Sequence, residues 1–288
     1  MQDSRIVGNT PLVKIAPKLW GKLETYNPTG SVKDRMAEFI FAEAKRRGEL
    51  DGKKKIVEAT SGNTGIAFAR IAAINNLQAI IIMPCNMSEE RKQMMRLYGA
   101  EIIEVGPSAF ADAIALREDM VANDPACWSP RQFENQDNIL CHCWTTGPEI
   151  SQQTNGASLD AFVSGAGTGG TMMGVKKYFD RLHDRMGYKN PKFVLVVPAE
   201  PASEHGIQGI NDGADFLVDR SQMDFILKVG TPTALARAKR LARENGLLVG
   251  ISAGANVLAA ERWIEENNPE GIVVTMLCDR GERYLGLY

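Results

Sequence analysis

The sequence of 288 residues has little net charge, few cysteines and no long apolar run. Apolar runs such as residues 79–84 are far too short to cross a bilayer. The net charge of −2 gives no basic field for binding nucleic acid or an anionic membrane. Five cysteines, an odd number, do not indicate a disulfide framework, and the first residues lack the pattern of a signal peptide. We therefore expect a globular protein of the cytoplasm.

The sequence does contain a regular alternation of short apolar segments with amphipathic helical patterns. Strands are predicted at segments such as 79–83, 193–198 and 272–277, and helices at segments such as 31–47, 66–74 and 253–267. This alternation is typical of α/β proteins whose sheets are mainly parallel and buried. A polar stretch at residues 131–138 interrupts the pattern. We therefore expect a boundary between two α/β domains near residues 135–140.

The segment 27–35 contains a lysine in an unusual place. Turn residues precede Ser31, which is predicted to be the N-cap of the first long helix. Lys33 then lies in the first helical turn, where the helix dipole disfavours a cation and favours a neutral amine. A neutral amine is what a Schiff-base lysine needs. The alternative is an ordinary exposed lysine on a helix surface.

Glycine-rich turns follow three of the predicted strands. Segment 165–171 offers backbone N–H groups and two hydroxyls to an anion, most naturally a phosphate, or it is simply a tight turn. It lacks the lysine of a Walker loop and the acidic ribose ligand of a dinucleotide site. Segment 60–65 combines hydroxyls with an amide, which suits a carboxylate or an oxygen-rich ring, although threonine and serine also serve as helix caps.

The third turn, 250–255, contains Ser252, which either caps the following helix or donates a hydrogen bond to a ligand. A lysine able to form an imine and a phosphate-binding turn without a Walker lysine together match the needs of pyridoxal 5′-phosphate. The sequence therefore predicts that cofactor.

These motifs, in this order, resemble the cysteine synthases (O-acetylserine sulfhydrylases) of the fold-type II family of pyridoxal-phosphate enzymes. The resemblance extends from residues 8–13 to residues 281–285 and is strongest to the cysteine synthase B branch. It implies a tryptophan-synthase-β-like fold of two α/β domains, with the cofactor in the cleft between them. Residues 25–136 would form a smaller, mobile domain. Residues 1–24 and 137–288 would form a larger domain that holds the cofactor phosphate.

The resemblance also implies a role for each site residue. Lys33 would form the internal aldimine and act as the catalytic base, Asn63 would bond the ring oxygen of the cofactor, and Ser252 would meet its pyridine nitrogen. The residues implied to hold the phosphate are Gly167, Thr168, Gly169, Gly170 and Thr171. The residues implied to bind the substrate α-carboxylate are Thr60, Ser61, Thr64 and Gln132.

The implied activity is a β-replacement that makes L-cysteine from O-acetyl-L-serine and sulfide through an α-aminoacrylate. A hydroxyl such as that of Ser252 cannot stabilise a protonated pyridinium as a carboxylate would, so the ring is a weaker electron sink and the site favours β-elimination. The resemblance implies a homodimer, and cysteine synthases can bind serine acetyltransferase. A non-catalytic homologue that acts through a partner is disfavoured, because Lys33 and Asn63 are both intact.

Related activities stay open as alternatives: an O-phosphoserine- or thiosulfate-using sulfhydrylase, or cystathionine β-synthase-type chemistry. Residues 278–280 resemble the cysteine synthase B branch, which accepts thiosulfate or larger sulfur donors. Residues 208–212, however, lack the arginines of that branch, and Asp212 would repel a second anion. A metal site at residues 141–143 is not expected, because the side chains of adjacent residues rarely converge on one tetrahedral ion.

Overall fold

The computed structural model describes residues 6–60, 62–107, 109–201, 204–210 and 215–288. The strands are β1 (Leu12–Ala16), β2 (Leu19–Leu23), β3 (Lys55–Ala59), β4 (Gln78–Pro84), β5 (Glu101–Val105), β6 (Cys127–Trp128), β7 (Leu159–Gly165), β8 (Lys192–Pro198), β9 (Phe225–Val229) and β10 (Ile272–Leu277). The α-helices are α1 (Lys33–Arg46), α2 (Asn63–Ile74), α3 (Glu89–Leu97), α4 (Phe110–Asn123), α5 (Asp137–Trp144), α6 (Thr146–Gln153), α7 (Gly170–Met186), α8 (Thr231–Asn245) and α9 (Ile251–Asn267). Short 3₁₀ helices are Glu24–Tyr26, Arg220–Gln222 and Gly281–Leu287.

The chain forms two compact units, of which the smaller contains Lys33–Asp137 together with residues 6–7. Its sheet has the strand order β5-β4-β3-β6, and every pairing in it is parallel. Strand β4 is apolar on both faces and is buried from Ala79 onward, as expected for a parallel sheet with helices on both sides. Helix α2 is buried along most of its length and contributes Ile66 and Phe68 to the core on one side of the sheet.

The larger unit contains Gly8–Val32 and Asn138–Tyr288. Its six-stranded sheet has the order β1-β2-β10-β7-β8-β9. Strands β1 and β2 are antiparallel, and the other pairings in this sheet are parallel. The sheet has apolar clusters on both faces, one of which includes α9. Gly254 of α9 allows close packing on α8, because a Cβ there would lie 2.1 Å from the Ala234 carbonyl oxygen.

The predicted α/β class with mainly parallel sheets is confirmed. The structure differs from the prediction in where several helices begin. Helix α1 begins at Lys33 rather than Ser31, because Ser31 pairs with Asp279 in an isolated β-bridge. Helix α2 begins at Asn63 and helix α9 at Ile251, earlier than predicted. Helix α5 occupies part of the segment that had been interpreted as an interruption of the alternation.

The units divide between Val32 and Lys33 and between Asp137 and Asn138. The predicted division lies at residues 25 and 136. The mobility of the smaller domain and the position of the cofactor between the two domains stay predictions. In the part of the chain that the structure describes, no helix is both long enough and apolar enough to cross a membrane.

Candidate active site

Lys33 is the first residue of α1 and is partly buried. The turn before it is held by the C-terminal segment of the larger unit. The Arg283 guanidinium donates to the carbonyl oxygens of Gly30, at 2.8 Å, and Thr29. The Val32 N–H donates to the Cys278 carbonyl at 2.9 Å. The first turn of α1 thus starts from a fixed backbone, in the position where the helix dipole favours a neutral amine.

Arg283 is buried, and we expect its replacement by methionine to lower the free energy of unfolding by about 2–3 kcal/mol, because two carbonyls lose a charged donor. Chemical denaturation of the purified protein measures this loss. Arg185→Met, on the exposed end of α7, is the matched control and is expected to change stability by less than about 0.5 kcal/mol. Equal losses for the two variants would contradict the role of Arg283 in holding the turn.

The candidate carboxylate site lies in the smaller unit, at the junction of β3 and α2. The Thr64 hydroxyl donates to Oε1 of Gln132 at 2.6 Å, and Nε2 of Gln132 donates to the Ala59 carbonyl at 3.3 Å. The Thr60 hydroxyl accepts a hydrogen bond from the Gly62 N–H at 3.2 Å. The structure thus brings Gln132 together with a turn about 70 residues earlier, as the resemblance implied. Ser61, also implied in this site, lies outside the described residues.

Asn63 is the first residue of α2, and the N-cap position is occupied by Gly62. A side chain at position 62 would collide with Arg91, because a Cβ there would lie 2.5 Å from the Arg91 Cδ. The first turn of α2 contains no acidic residue. Hydroxyl and amide groups at a helix N-terminus whose first turn has no acidic residue suit an anionic or oxygen-rich ligand.

The candidate phosphate site is the turn from β7 to α7 in the larger unit. Gly169 is the N-cap of α7 with φ +95°, a conformation that glycine adopts readily. A Cβ on Gly167 would lie 2.7 Å from the Gly209 carbonyl oxygen, and a Cβ on Gly170 would lie 1.9 Å from Oδ1 of Asn138. The glycines therefore leave a concave turn that side chains at these positions would fill. The turn lies at a helix N-terminus, and the first turn of that helix has no acidic residue. The residues present fit a phosphate group.

Sequence reasoning missed two residues that support this turn, both on α5. Nδ2 of Asn138 donates to the Thr168 hydroxyl at 2.9 Å. The His142 ring lies between two hydroxyls, with Nε2 at 3.2 Å from Thr171 and Nδ1 at 2.8 Å from Thr146. The available signal was the spacing of four between positions 138 and 142, which places both residues on one helix face. Among the described residues, no group of three or more acidic, cysteine or histidine side chains could hold a metal ion.

Ser252 lies in the first turn of α9 and is 5% exposed. Its interpretation as a helix cap is wrong, because Gly250 occupies the N-cap position of α9. The Gly250 N–H donates to the Asp279 carbonyl at 3.0 Å, and the Asp279 carboxylate accepts from the Tyr284 hydroxyl at 2.6 Å. The start of α9 is thus fixed, and Ser252 offers a hydroxyl where the helix dipole favours a neutral or anionic ligand.

Comparison with known proteins agrees with these features. Residues 4–279 match the family described as pyridoxal-phosphate dependent enzymes. A cysteine synthase of Staphylococcus aureus is 39% identical over 98% of this chain and 94% of its own. Cysteine synthase B of Escherichia coli is also 39% identical, over 97% of this chain and 92% of its own. The O-acetylserine dependent cystathionine β-synthase of Helicobacter pylori superposes with a TM-score of 0.87 at 33% identity, covering 98% of this chain and 96% of its own.

The chain belongs to the pyridoxal-phosphate dependent enzyme family, with the fold-type II architecture and cysteine synthases among its relatives. It is a pyridoxal-phosphate enzyme, and the predicted cofactor is confirmed. The roles of the individual site residues stay predictions.

Proposed function

We propose that the protein makes L-cysteine from O-acetyl-L-serine and sulfide. The observation that carries the proposal is the serine at position 252, in the first turn of a helix, where a carboxylate would be needed to keep a pyridine nitrogen protonated. A hydroxyl at the positive end of a helix favours the unprotonated ring. Such a ring supports loss of a leaving group from Cβ better than reactions that need a long-lived carbanion.

Pyridoxal phosphate, when bound, supplies an aldehyde that condenses with primary amines and a conjugated ring that withdraws electrons. The turn 167–171 would hold its phosphate, Asn63 would bond its ring oxygen, and Ser252 would donate to its ring nitrogen. Thr60, Thr64 and Gln132 orient the α-carboxylate of the amino acid.

Nζ of Lys33 takes the proton from Cα of the substrate amino acid and later returns a proton to the same carbon. The electron pair left by that proton forms a double bond between Cα and Cβ and expels acetate, which breaks the Cβ–O bond. Hydrosulfide then forms a C–S bond at Cβ, and the electron pair of the double bond returns to Cα, where Lys33 delivers the proton. Lys33 lies in the first turn of α1, where the helix dipole favours a neutral amine. Only the neutral amine can act as this base.

The choice of O-acetylserine over O-phosphoserine is supported by the charge of the segment 208–212, which contains an aspartate and no arginine. Asp212 lies outside the described residues, so the argument rests on the sequence. A carboxylate near the binding site for the leaving group or sulfur donor would repel a phosphate ester or thiosulfate. The second candidate is formation of cystathionine with a thiol amino acid as the nucleophile, which the name of the Helicobacter pylori relative favours.

The test supplies purified holoenzyme with O-acetylserine, O-phosphoserine or serine, each combined with sulfide, thiosulfate or homocysteine. We expect L-cysteine from O-acetylserine and sulfide to form fastest, measured by chromatography of the amino-acid product. Faster turnover of O-phosphoserine would overturn the proposed substrate. Faster cystathionine formation with homocysteine would favour the second candidate.

We also propose that the chain works as a cytoplasmic homodimer that binds serine acetyltransferase. Exposed leucines near the C-terminus support an assembly surface: Leu248, Leu285 and Leu287 are 41%, 59% and 51% exposed. Light scattering distinguishes a dimer from the 31.5 kDa monomer. The same measurement after adding serine acetyltransferase tests the second partner.

A further inference from the structure

A buried ion pair lies directly behind the candidate carboxylate site. Glu58 on β3 is fully buried and Arg117 on α4 is 3% exposed, with Nη1 of Arg117 at 3.2 Å from Oε1 of Glu58. Burial raises the pKa of the Glu58 carboxyl, and the Arg117 charge opposes that shift. For Arg117, Glu58 and Glu118 outweigh the effect of burial and raise its pKa. The Arg117 guanidinium is therefore the charged partner that favours the ionised form of the buried Glu58 carboxyl.

The Glu58 carboxylate also holds the backbone on both sides of the candidate site. Oε1 accepts from the Ala59 N–H at 2.8 Å, and Oε2 accepts from the Gln132 N–H at 3.3 Å. Together with Arg117, three donors converge on one carboxyl group. The ionised form accepts most strongly from all of them, because a protonated carboxyl turns one oxygen into a donor and makes that oxygen a weaker acceptor.

The backbone next to Gln132 has a strained conformation at Arg131. Arg131, immediately before Gln132, has φ +49°, which costs a residue other than glycine of the order of 1 kcal/mol. The Arg131 guanidinium donates to Glu118 at 2.6 Å, and Glu118 in turn accepts from Arg117 at 2.5 Å. Strained backbone conformations persist at functional sites where the surrounding structure fixes them. The charges of α4 and β3 supply that support here.

We propose that Glu58 and Arg117 are positioning residues that fix Gln132, and through it the Thr64 hydroxyl, for binding the substrate α-carboxylate. The Gln132 side chain bonds both the Ala59 carbonyl and the Thr64 hydroxyl, while the Gln132 backbone N–H donates to Glu58. The proposal rests on the role of Gln132 in the proposed function. It adds two residues to that site, neither of which is expected to touch the substrate.

Steady-state kinetics of Gln132→Ala, Glu58→Gln and Arg117→Met test the proposal. We expect each to raise KM for O-acetylserine about tenfold with kcat changed less than about twofold, because ground-state and transition-state binding of the carboxylate weaken together. Removing one partner of a buried pair can unfold a protein, so the double variant Glu58→Gln/Arg117→Met, which leaves no buried partner charge, is measured too. It is expected to fold and to keep the raised KM.

A readout that needs no activity is amide hydrogen exchange at Gln132. We expect it to accelerate at least about tenfold in Glu58→Gln, because its acceptor is weakened. Arg70→Met is the matched control, since the Arg70–Glu38 pair is a partly buried ion pair of the same unit at 3.3 Å. Its KM and its exchange at Gln132 are expected to match the wild type.

The outcomes separate the two proposals. An unchanged KM in Gln132→Ala would overturn the carboxylate site itself. A raised KM in Gln132→Ala with wild-type KM and exchange in the folded Glu58 and Arg117 variants would overturn the positioning role alone. The positioning role would also be overturned if the Glu58 and Arg117 variants lost only as much stability as Arg70→Met and kept the wild-type KM.

Discussion

Replacing Lys33 with alanine is expected to abolish the visible absorbance band expected of the holoenzyme and to lower cysteine formation at least about 100-fold. The band requires a lysine bonded to the cofactor, and the reaction requires a base at Cα, which contributes roughly 10²–10⁴ in rate. Lys33 begins α1 on a turn that the C-terminal segment fixes. Absorbance spectra and single-turnover kinetics of the purified variant measure both effects.

The matched control is Lys54→Ala, an exposed lysine of the same unit. It is expected to keep both the band and the activity. A second check is the addition of a small primary amine to Lys33→Ala, which is expected to restore part of the activity by supplying the missing base. A visible band that survives in Lys33→Ala after removal of free cofactor would show that another lysine binds it, and would overturn the assignment.

The candidate site features that can be read from the sequence are those encoded locally. Lys33, the turn 60–65 and the turn 165–171 each stand beside glycines and hydroxyls at the end of an apolar segment, so composition and order within a few residues are sufficient. The glycines of the candidate phosphate turn are needed because of contacts that the sequence alone does not show. Gly167 is needed because the Gly209 carbonyl lies against it, a contact that joins residues far apart in the chain.

Features that depend on distant contacts were mispredicted or missed. Ser31 has the local signature of an N-cap, yet its backbone pairs with Asp279, and the helix starts two residues later. The contact of His142 on α5 with Thr171 was missed, because a cysteine–histidine cluster first suggests a metal site or core packing. Glu58 looks like a polar residue at a strand end, and only the fold shows that Arg117, 59 residues later, is buried against it.

The second large effect is expected from Gly169→Ala in the candidate phosphate turn. We expect the dissociation constant of pyridoxal phosphate to rise at least about tenfold, which corresponds to about 1.4 kcal/mol. Gly169 has φ +95°, and a Cβ there would lie 2.6 Å from Cγ2 and 2.8 Å from the backbone nitrogen of Val218. The backbone nitrogen cannot move freely, because the neighbouring Leu217 N–H donates to the Thr168 carbonyl at 3.1 Å. The turn must therefore shift, and the donors of the phosphate site shift with it.

Fluorescence titration of the cofactor-free variant with pyridoxal phosphate measures this constant. Gly187→Ala, at the other end of α7, provides the matched control because Gly187 also has positive φ, +65°, but a Cβ there would meet no heavy atom within 4 Å beyond its chain neighbours. It carries a backbone cost of about 1–2 kcal/mol and no collision, so it is expected to lower stability while leaving cofactor affinity unchanged. Equal affinities for the two variants would mean that the shape of the turn at Gly169 does not govern phosphate binding. A loss confined to Gly169→Ala would tie the cofactor to this turn independently of Lys33.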